Sequence, residues 1–354
     1  MRLVVSGYYG FGNAGDEAIL TAMVGALRRR TSELELVVIS GNPAATARRH
    51  GVRAIGRGAV ETIRELLRSD GVVSGGGGLL QDRTSTRSVL YYAGVMLLGV
   101  ALRRPVYVYA QGIGPIEGRL ARAVAGLALR RASYVSVRDQ GSLDAARALG
   151  ADAVEVAADP AIGLSPAAAR PPSGRPIIVV AVRPAPGWAQ LEEGFVAALR
   201  KLGEGHRLAF VAMHPAQDGP LATRLAARVG PYASVADYAD LEELMGRIGS
   251  AALVIGMRLH ALILAAAAGV PFVALSYDPK VDAFAKAVQQ SVAASVNGRL
   301  APDAFVTLVR AQLAADTTAY RASVAALARR AERPAEAITA ALRARRAPPQ
   351  RGVI

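Results

Sequence analysis

The chain has 354 residues, 52% of them hydrophobic and 20% charged. It is too long for one ordinary core and too apolar to be disordered, so two domains are expected. Cysteine is absent, which excludes disulfides, thiolate metal sites and cysteine nucleophiles. The formal net charge is +14, and all but three of the 42 basic residues are arginine. Such a surface attracts polyanions. With aromatics at 5% and no zinc-finger or RNA-binding signature, no nucleic-acid partner is expected.

The opening residues read as a strand, Leu3 to Ser6, without a signal-peptide layout, so a cytoplasmic protein is expected. A helix follows at Asp16 to Arg30, then a strand at Leu34 to Ser40, a helix at Val60 to Arg68 and a strand at Gly71 to Ser74. The uncharged run Val89 to Leu102 is helical but spans only about 21 Å, short of a bilayer core of roughly 30 Å. It reads as a core helix packed on a sheet; the sharper alternative is a helix that touches lipid. Strands at Val106 to Ala110, Tyr134 to Val137 and Val154 to Ala157 alternate with helices at Gly118 to Ala132 and Gln140 to Leu149. Strands separated by crossover helices imply a parallel sheet covered on both faces.

Four prolines fall between Pro166 and Pro176 and read as a linker. The alternation then restarts. Strands are expected at Ile177 to Val182, Arg207 to Met213, Ala251 to Ile255 and Phe272 to Leu275. Helices are expected at Gln190 to Leu202, Leu221 to Val229, Leu241 to Ile248, His260 to Ala268, Pro302 to Ala315 and Ala319 to Arg346. The expected division is a first domain at 1–165, a linker at 166–176, a second domain at 177–320, and a C-terminal helix with a basic tail at 321–354. Two open α/β domains with parallel sheets facing across a cleft is the fold class this pattern predicts.

Ligands on such sheets bind at the carboxyl ends of the strands, and polar residues collect there. The first strand runs into Gly7-Tyr8-Tyr9-Gly10-Phe11-Gly12-Asn13-Ala14-Gly15-Asp16-Glu17. Gly10, Gly12 and Gly15 satisfy G-x-G-x-x-G, but Asp16 and Glu17 would repel a pyrophosphate at the helix start, so no dinucleotide is expected. A second loop, Gly75-Gly76-Gly77-Gly78-Leu79-Leu80-Gln81-Asp82, and a third, Gln111-Gly112-Ile113-Gly114-Pro115, follow later strands. Arg138-Asp139 and Asp159 end two more. In the second half, Arg183, His214 and Asp278-Pro279-Lys280 stand at strand ends.

The most informative segment is Gly256-Met257-Arg258-Leu259-His260. It sets a cation and a group that titrates near neutral pH inside an apolar run. A buried guanidinium needs an anion, supplied by the protein or by a ligand. Histidine and acidic spacing gives no metal site, and no nucleophile elbow occurs.

The motifs GYYGFGNAGDEAIL, SGGGGLLQD, AQGIGP, VSVRDQGS, AADPA and GMRLHALILAAAAGVPFVALSYDPKVDAF, in this order, resemble those of polysaccharide pyruvyl transferases of the CsaB-like kind, over about residues 1 to 320. The resemblance implies two Rossmann-like domains in the glycosyltransferase-B arrangement. It also implies transfer of a pyruvyl group from phosphoenolpyruvate to a sugar as a cyclic ketal, without metal or other cofactor. The implied acceptor is an N-acetylmannosamine of a lipid-linked secondary cell-wall polysaccharide precursor. The charged ketal would anchor surface-layer (S-layer) proteins, and the enzyme would sit peripherally at the inner face of the cell membrane.

Carried over by motif, phosphoenolpyruvate-binding residues are Arg138, Arg258, Leu259 and His260. His260 is the expected general acid, and Asp16 or Asp82 the expected base. Acceptor contacts are expected at Gly12, Asn13, Gly78, Gln81, His214, Asp278 and Lys280. Two guanidiniums suit a donor with a phosphate and a carboxylate. A nucleotide-sugar-dependent glycosyltransferase of cell-envelope synthesis with the same architecture is the alternative reading, with Asp278 or Asp282 as a ribose partner.

Overall fold

Strands and helices alternate from Arg2 to the final long helix in the computed structural model, which describes residues 1–82, 85–165, 174–295 and 298–346. The first sheet is built from β1 (Arg2–Ser6), β2 (Glu35–Ile39), β3 (Arg53–Ile55), β4 (Gly71–Ser74), β5 (Gly77–Leu80), β6 (Val106–Ile113), β7 (Tyr134–Val137) and β8 (Glu155–Val156). Its order is β3-β2-β1-β4-β6-β7-β8, with β5 beside β6, and every pair is parallel. Its connecting helices are α1 (Ala14–Arg30), α2 (Pro43–His50), α3 (Ala59–Arg68), α4 (Thr86–Ala101), α5 (Arg119–Arg131) and α6 (Gln140–Ala148).

The second sheet holds β9 (Ile177–Ala181), β10 (Arg207–Phe210), β11 (Ala233–Val235), β12 (Leu253–Gly256), β13 (Phe272–Ser276) and β14 (Ser291–Ser295). Its order is β11-β10-β9-β12-β13-β14, again parallel throughout. The helices are α7 (Trp188–Gly203), α8 (Pro215–Val229), α9 (Leu241–Gly249), α10 (Leu259–Ala267), α11 (Pro279–Ala287) and α12 (Pro302–Ala314). The last helix, α13 (Thr318–Arg346), follows.

The chain packs as two units. One comprises Met1–Phe11, Ile19–Pro160 and the chain from Arg329; the other comprises Gly12–Ala18 and Ala161–Ala328. In the first, the sheet is buried on two sides. One face carries Leu3, Val5, Val38 and Val73 against Leu20, Met23 and Leu27 of α1 and Ala335, Ile338 and Leu342 of α13. The other carries Val4, Val37, Val72 and Val106 against α3, α4 and α5. Sandwiching of this kind is why the central strands are continuous apolar runs rather than alternating ones. Glu332 and Glu336 of α13 tie it to Arg29 and Arg30 at the end of α1. In the second unit, Ile178, Val180, Leu253, Ile255, Val273 and Leu275 form the core with α7, α8 and α12.

Several elements differ from the sequence reading. The glycine run is not all loop: Gly77–Leu80 forms β5, pairing Gly77 with Gln111 and Leu80 with Ile113, and β6 continues through Gln111 to Ile113. Helix α8 begins at Pro215, six residues early, because Pro215 is favoured at the first helical position and Pro220 is accommodated within it. The strands β3, β11 and β14 and the helices α2 and α11 are additional. All five are short, and their apolar patterns are too sparse to stand out from the turns around them. Of the expected linker, residues 166–173 lie outside the described residues, as do 347–354 of the basic tail. Helix α4 buries Val89, Tyr92, Ala93, Val95, Met96 and Gly99, so it is a core helix. Among the described residues no helix is long and apolar enough to cross a membrane.

Candidate functional site

The glycine-rich loops divide into those filled by protein and those left open. A Cβ on Gly7 would come within 2.3 Å of the Tyr9 ring, and one on Gly75 within 2.0 Å of its hydroxyl. Both therefore exist to accommodate the fully buried Tyr9. Gly10 (φ 77°) has no room beside Ser40 and Asn42. By contrast, Gly12 (φ 75°) has no atom within 4 Å of its Cβ position, and Gly78 only the end of Gln81 at 3.7 Å. Of the loop glycines expected at a site, these two keep open space beside the backbone.

In the first unit, Arg138 follows β7 and its side chain is 9% exposed. Its Nε donates to Asp139 at 3.1 Å and its Nη1 to Asp159 at 3.4 Å. Burial pulls the guanidinium pKa down, but the Asp159 and Asp139 carboxylates outweigh this and hold it above the ordinary arginine value. A Cβ on Gly112 would lie 2.7 Å from Arg138 Cζ, so the glycine of AQGIGP is required by a guanidinium laid over its backbone. Gln111, fully buried, donates to the Gly77 carbonyl at 2.7 Å and fixes β5. Asp82 accepts from the amides of Glu117 and Gly118 at 2.8 and 2.9 Å, just before α5. That bonding gives it a structural job at a helix start. Gln81 lies against Gly114.

The second unit gathers more of the expected residues. Arg258 is the N-cap of α10 and gives it no side-chain cap. Its Nε donates to Asp218 Oδ2 at 2.9 Å, its Nη2 to Asp218 Oδ1, and its Nη2 also to Gln217 at 3.2 Å. Asp218 is fully buried and accepts the His214 amide at 3.0 Å as well. The mostly buried cation thus has an internal anion, and Asp218 is a residue that sequence reasoning missed. Its signal was present in His214-Pro215-Ala216-Gln217-Asp218, where a helix start at Pro215 puts the carboxylate in the first turn. The ring of the buried His214 has its Nδ1 without a hydrogen-bond partner among the described residues.

His260 sits in the first turn of α10, and Leu259 beside it is buried. What Leu259 offers an anion is therefore its backbone amide at a helix start. The His260 ring rests on Gly15, where a Cβ would fall 2.2 Å from Nδ1, 2.4 Å from Cγ and 2.8 Å from Cβ. Asn13 Oδ1 accepts the Gly15 amide at 3.1 Å, and the Met213 carbonyl accepts the Ala14 amide at 2.9 Å. These bonds hold the start of α1 against the end of β10. Asp16 and Glu17 are buried in that same first turn of α1, where negative charge is favoured by the helix dipole. Asp278 caps α11 by accepting the Lys280 amide at 3.1 Å, and Lys280 Nζ lies 3.5 Å from its carboxylate. Arg183 stacks over Tyr277 at 4.9 Å. Among the described residues no cluster of three or more His, Asp or Glu residues suits a metal ion.

The sequence profile of the family described as polysaccharide pyruvyl transferase matches residues 13–279. No curated protein matches the chain. Among solved structures, the chain resembles the UDP-GlcNAc 2-epimerase from Methanocaldococcus jannaschii at TM-score 0.66 and 11% identity, covering 96% of this chain and 100% of that one. It resembles Anabaena Alr3699/HepE in complex with UDP and glucose at TM-score 0.64 and 15% identity, covering 97% and 100%. For the spinosyn rhamnosyltransferase SpnG the values are 0.56, 15%, 97% and 100%. These likenesses establish the shared fold of two parallel α/β units, glycosyltransferase-B-like, and nothing finer.

Proposed function

We propose, for a chain that belongs to the polysaccharide pyruvyl transferase family, that the donor is phosphoenolpyruvate and that it binds at the start of α10. The observation that carries this reading is Arg258, held by Asp218 at an uncapped helix start, with His260 in the same helical turn. Asp218 takes the Nε–Nη2 edge of the guanidinium and fixes its plane, leaving Nη1 to meet a second anion. The α10 amides add a partial positive charge for the same group.

The proposed chemistry needs no metal. His260, protonated, delivers a proton to the methylene carbon of phosphoenolpyruvate while one sugar hydroxyl adds to the neighbouring carbon. That first hydroxyl gives its proton to a base, which restores the proton His260 gave up; a second hydroxyl then displaces phosphate from the same carbon, its proton leaves on the phosphate, and a cyclic ketal remains. Asp16 is the preferred base, because it belongs to the same unit as His260. Arg138 is proposed as a donor-binding residue on the motif resemblance, and R138A should lose phosphoenolpyruvate affinity in titration calorimetry; unchanged affinity would remove it from that role. Gly12 and Gly78, the open glycines, are proposed acceptor contacts, and Asn13, Gln81, His214, Asp278 and Lys280 are proposed with them on the motif resemblance. The proposed acceptor is an N-acetylmannosamine of a lipid-linked cell-wall precursor, the ketal anchors surface-layer proteins in the CsaB-like manner, and the work is done at the cytoplasmic face of the membrane.

The test is phosphate release from phosphoenolpyruvate with a panel of N-acetylhexosamine acceptors. Release that depends on acceptor supports the reading. Transfer from a nucleotide-sugar with no response to phosphoenolpyruvate would overturn it.

A further inference from the structure

Large apolar side chains that remain exposed concentrate on one layer of the first unit. Val60 (73% exposed), Ile63 and Leu67 (52%) lie on α3, and Leu120 (65%) and Leu127 lie on α5; together they are five of the seven such residues among the described residues. On α3 they fall at i, i+3 and i+7, on the side opposite the buried Thr62, Glu65 and Leu66. On α5 the two leucines are again seven apart, opposite Ala121, Ala125 and Leu129. Helix α5 therefore has two apolar sides, of which the sheet needs one, and α3 carries its apolar stripe away from the side that packs.

The two stripes belong to a single surface. Helices α3, α4 and α5 all contribute to the same core cluster on one sheet face. Arg57, just before α3, stacks over Tyr91 of α4 at 4.0 Å, and Arg104, after α4, donates to the Leu67 carbonyl at 2.6 Å. Exposed arginines edge the stripes: Arg64 and Arg68 on α3, Arg119 and Arg131 on α5, and Arg103 beyond α4. Apolar side chains ringed by guanidiniums repel a second copy of a chain carrying +14, and they match a surface with an apolar interior and anionic head groups.

We propose that this α3–α4–α5 face docks on an anionic lipid bilayer, with Val60, Leu67 and Leu120 entering the acyl boundary and the arginines paired with phosphate head groups. The lipid-linked acceptor of the proposed function gives this docking a use, and to that extent the inference rests on that reading. Vesicle binding is measured without donor or acceptor, so its failure and the failure of the transfer reaction are separate results.

The experiment is co-sedimentation of the full chain with phosphatidylcholine vesicles, with and without phosphatidylglycerol, at low and high salt. Binding is expected only with phosphatidylglycerol and should weaken as salt rises. The variant V60S/L67S/L120S should keep the wild-type melting temperature, because its changes are on exposed positions, and should bind at least about tenfold more weakly. R64Q/R68Q should weaken the dependence on phosphatidylglycerol. Wild-type binding by the serine variant, or no binding by the wild type at low salt, overturns the proposal. So does a wild-type dimer in sedimentation that the serine variant abolishes while vesicle binding is unchanged.

Discussion

Replacing Gly15 by alanine should separate the position of His260 from its presence. The added methyl would sit 2.2 Å from His260 Nδ1 and 2.8 Å from its Cβ, where nonbonded carbons settle at about 3.5 Å. The ring must therefore move by roughly 1.3 Å. Rotation about χ1 does not move the Cβ, so the backbone of α1 or α10 must give by about 0.7 Å. Such overpacking costs about 1–3 kcal/mol, and alanine over glycine in a helix offsets up to about 1 kcal/mol of it. The net loss, about 0–3 kcal/mol, leaves the protein folded. A misplacement near 1 Å costs about a hundredfold in rate when the displaced group does the chemistry. We expect G15A to lower kcat about a hundredfold in the phosphate-release assay, with a melting temperature within about 5 °C of wild type. Gly25→Ala, further along α1 where the nearest atom is the mobile end of Arg29 at 3.2 Å, is the control and should keep full activity. A folded G15A with wild-type kcat would refute both the packing argument and the role given to His260.

Four further outcomes follow from the same geometry. Titration calorimetry should find phosphoenolpyruvate binding lost in Arg258→Ala and weakened in Arg258→Lys, which keeps the charge but not the two-point contact with Asp218; unchanged affinity in Arg258→Ala would remove the residue from the donor site. His260→Ala should bind the donor as wild type does and show no turnover, whereas failure to fold would make it a core residue. Asp218→Asn leaves the mostly buried Arg258 without its anion, and urea denaturation should show a loss of about 3–5 kcal/mol; a loss under about 1 kcal/mol would mean that solvent compensates the guanidinium. The fourth concerns pH. Burial pushes the Glu192 carboxyl up, but bonds from Arg224, Arg228 and Trp188 outweigh it and hold the pKa below the ordinary glutamate value. A carboxyl so depressed contributes stability above its unfolded pKa of about 4.3, lost as pH falls through the folded value. Melting curves should therefore fall more steeply with acid for the wild type than for E192Q, and parallel curves would count against the pairing.

The sequence by itself determined the class of the fold, because its buried strands are bare apolar runs separated by amphipathic helices, a pattern that only a parallel sheet covered on two sides satisfies. The arginine and histidine at the end of β12 were legible for a related reason: polar groups in an apolar run are retained where a strand ends and a helix begins. Short or sparsely apolar segments such as β3, β5 and β14 were not, since three to five residues carry too little periodicity to outweigh glycine or turn chemistry. Tertiary structure alone decided what each glycine was for. Gly7 and Gly75 make room for Tyr9, Gly112 for the Arg138 guanidinium and Gly15 for the His260 ring, while a run of glycines reads the same whether a ligand or a side chain fills the space. It also decided that Asp218, 40 residues from Arg258 along the chain, holds it. Pairing of that kind depends on which strands lie side by side, β10 and β12 flanking β9, and strand order is a property of the folded sheet that no local pattern encodes.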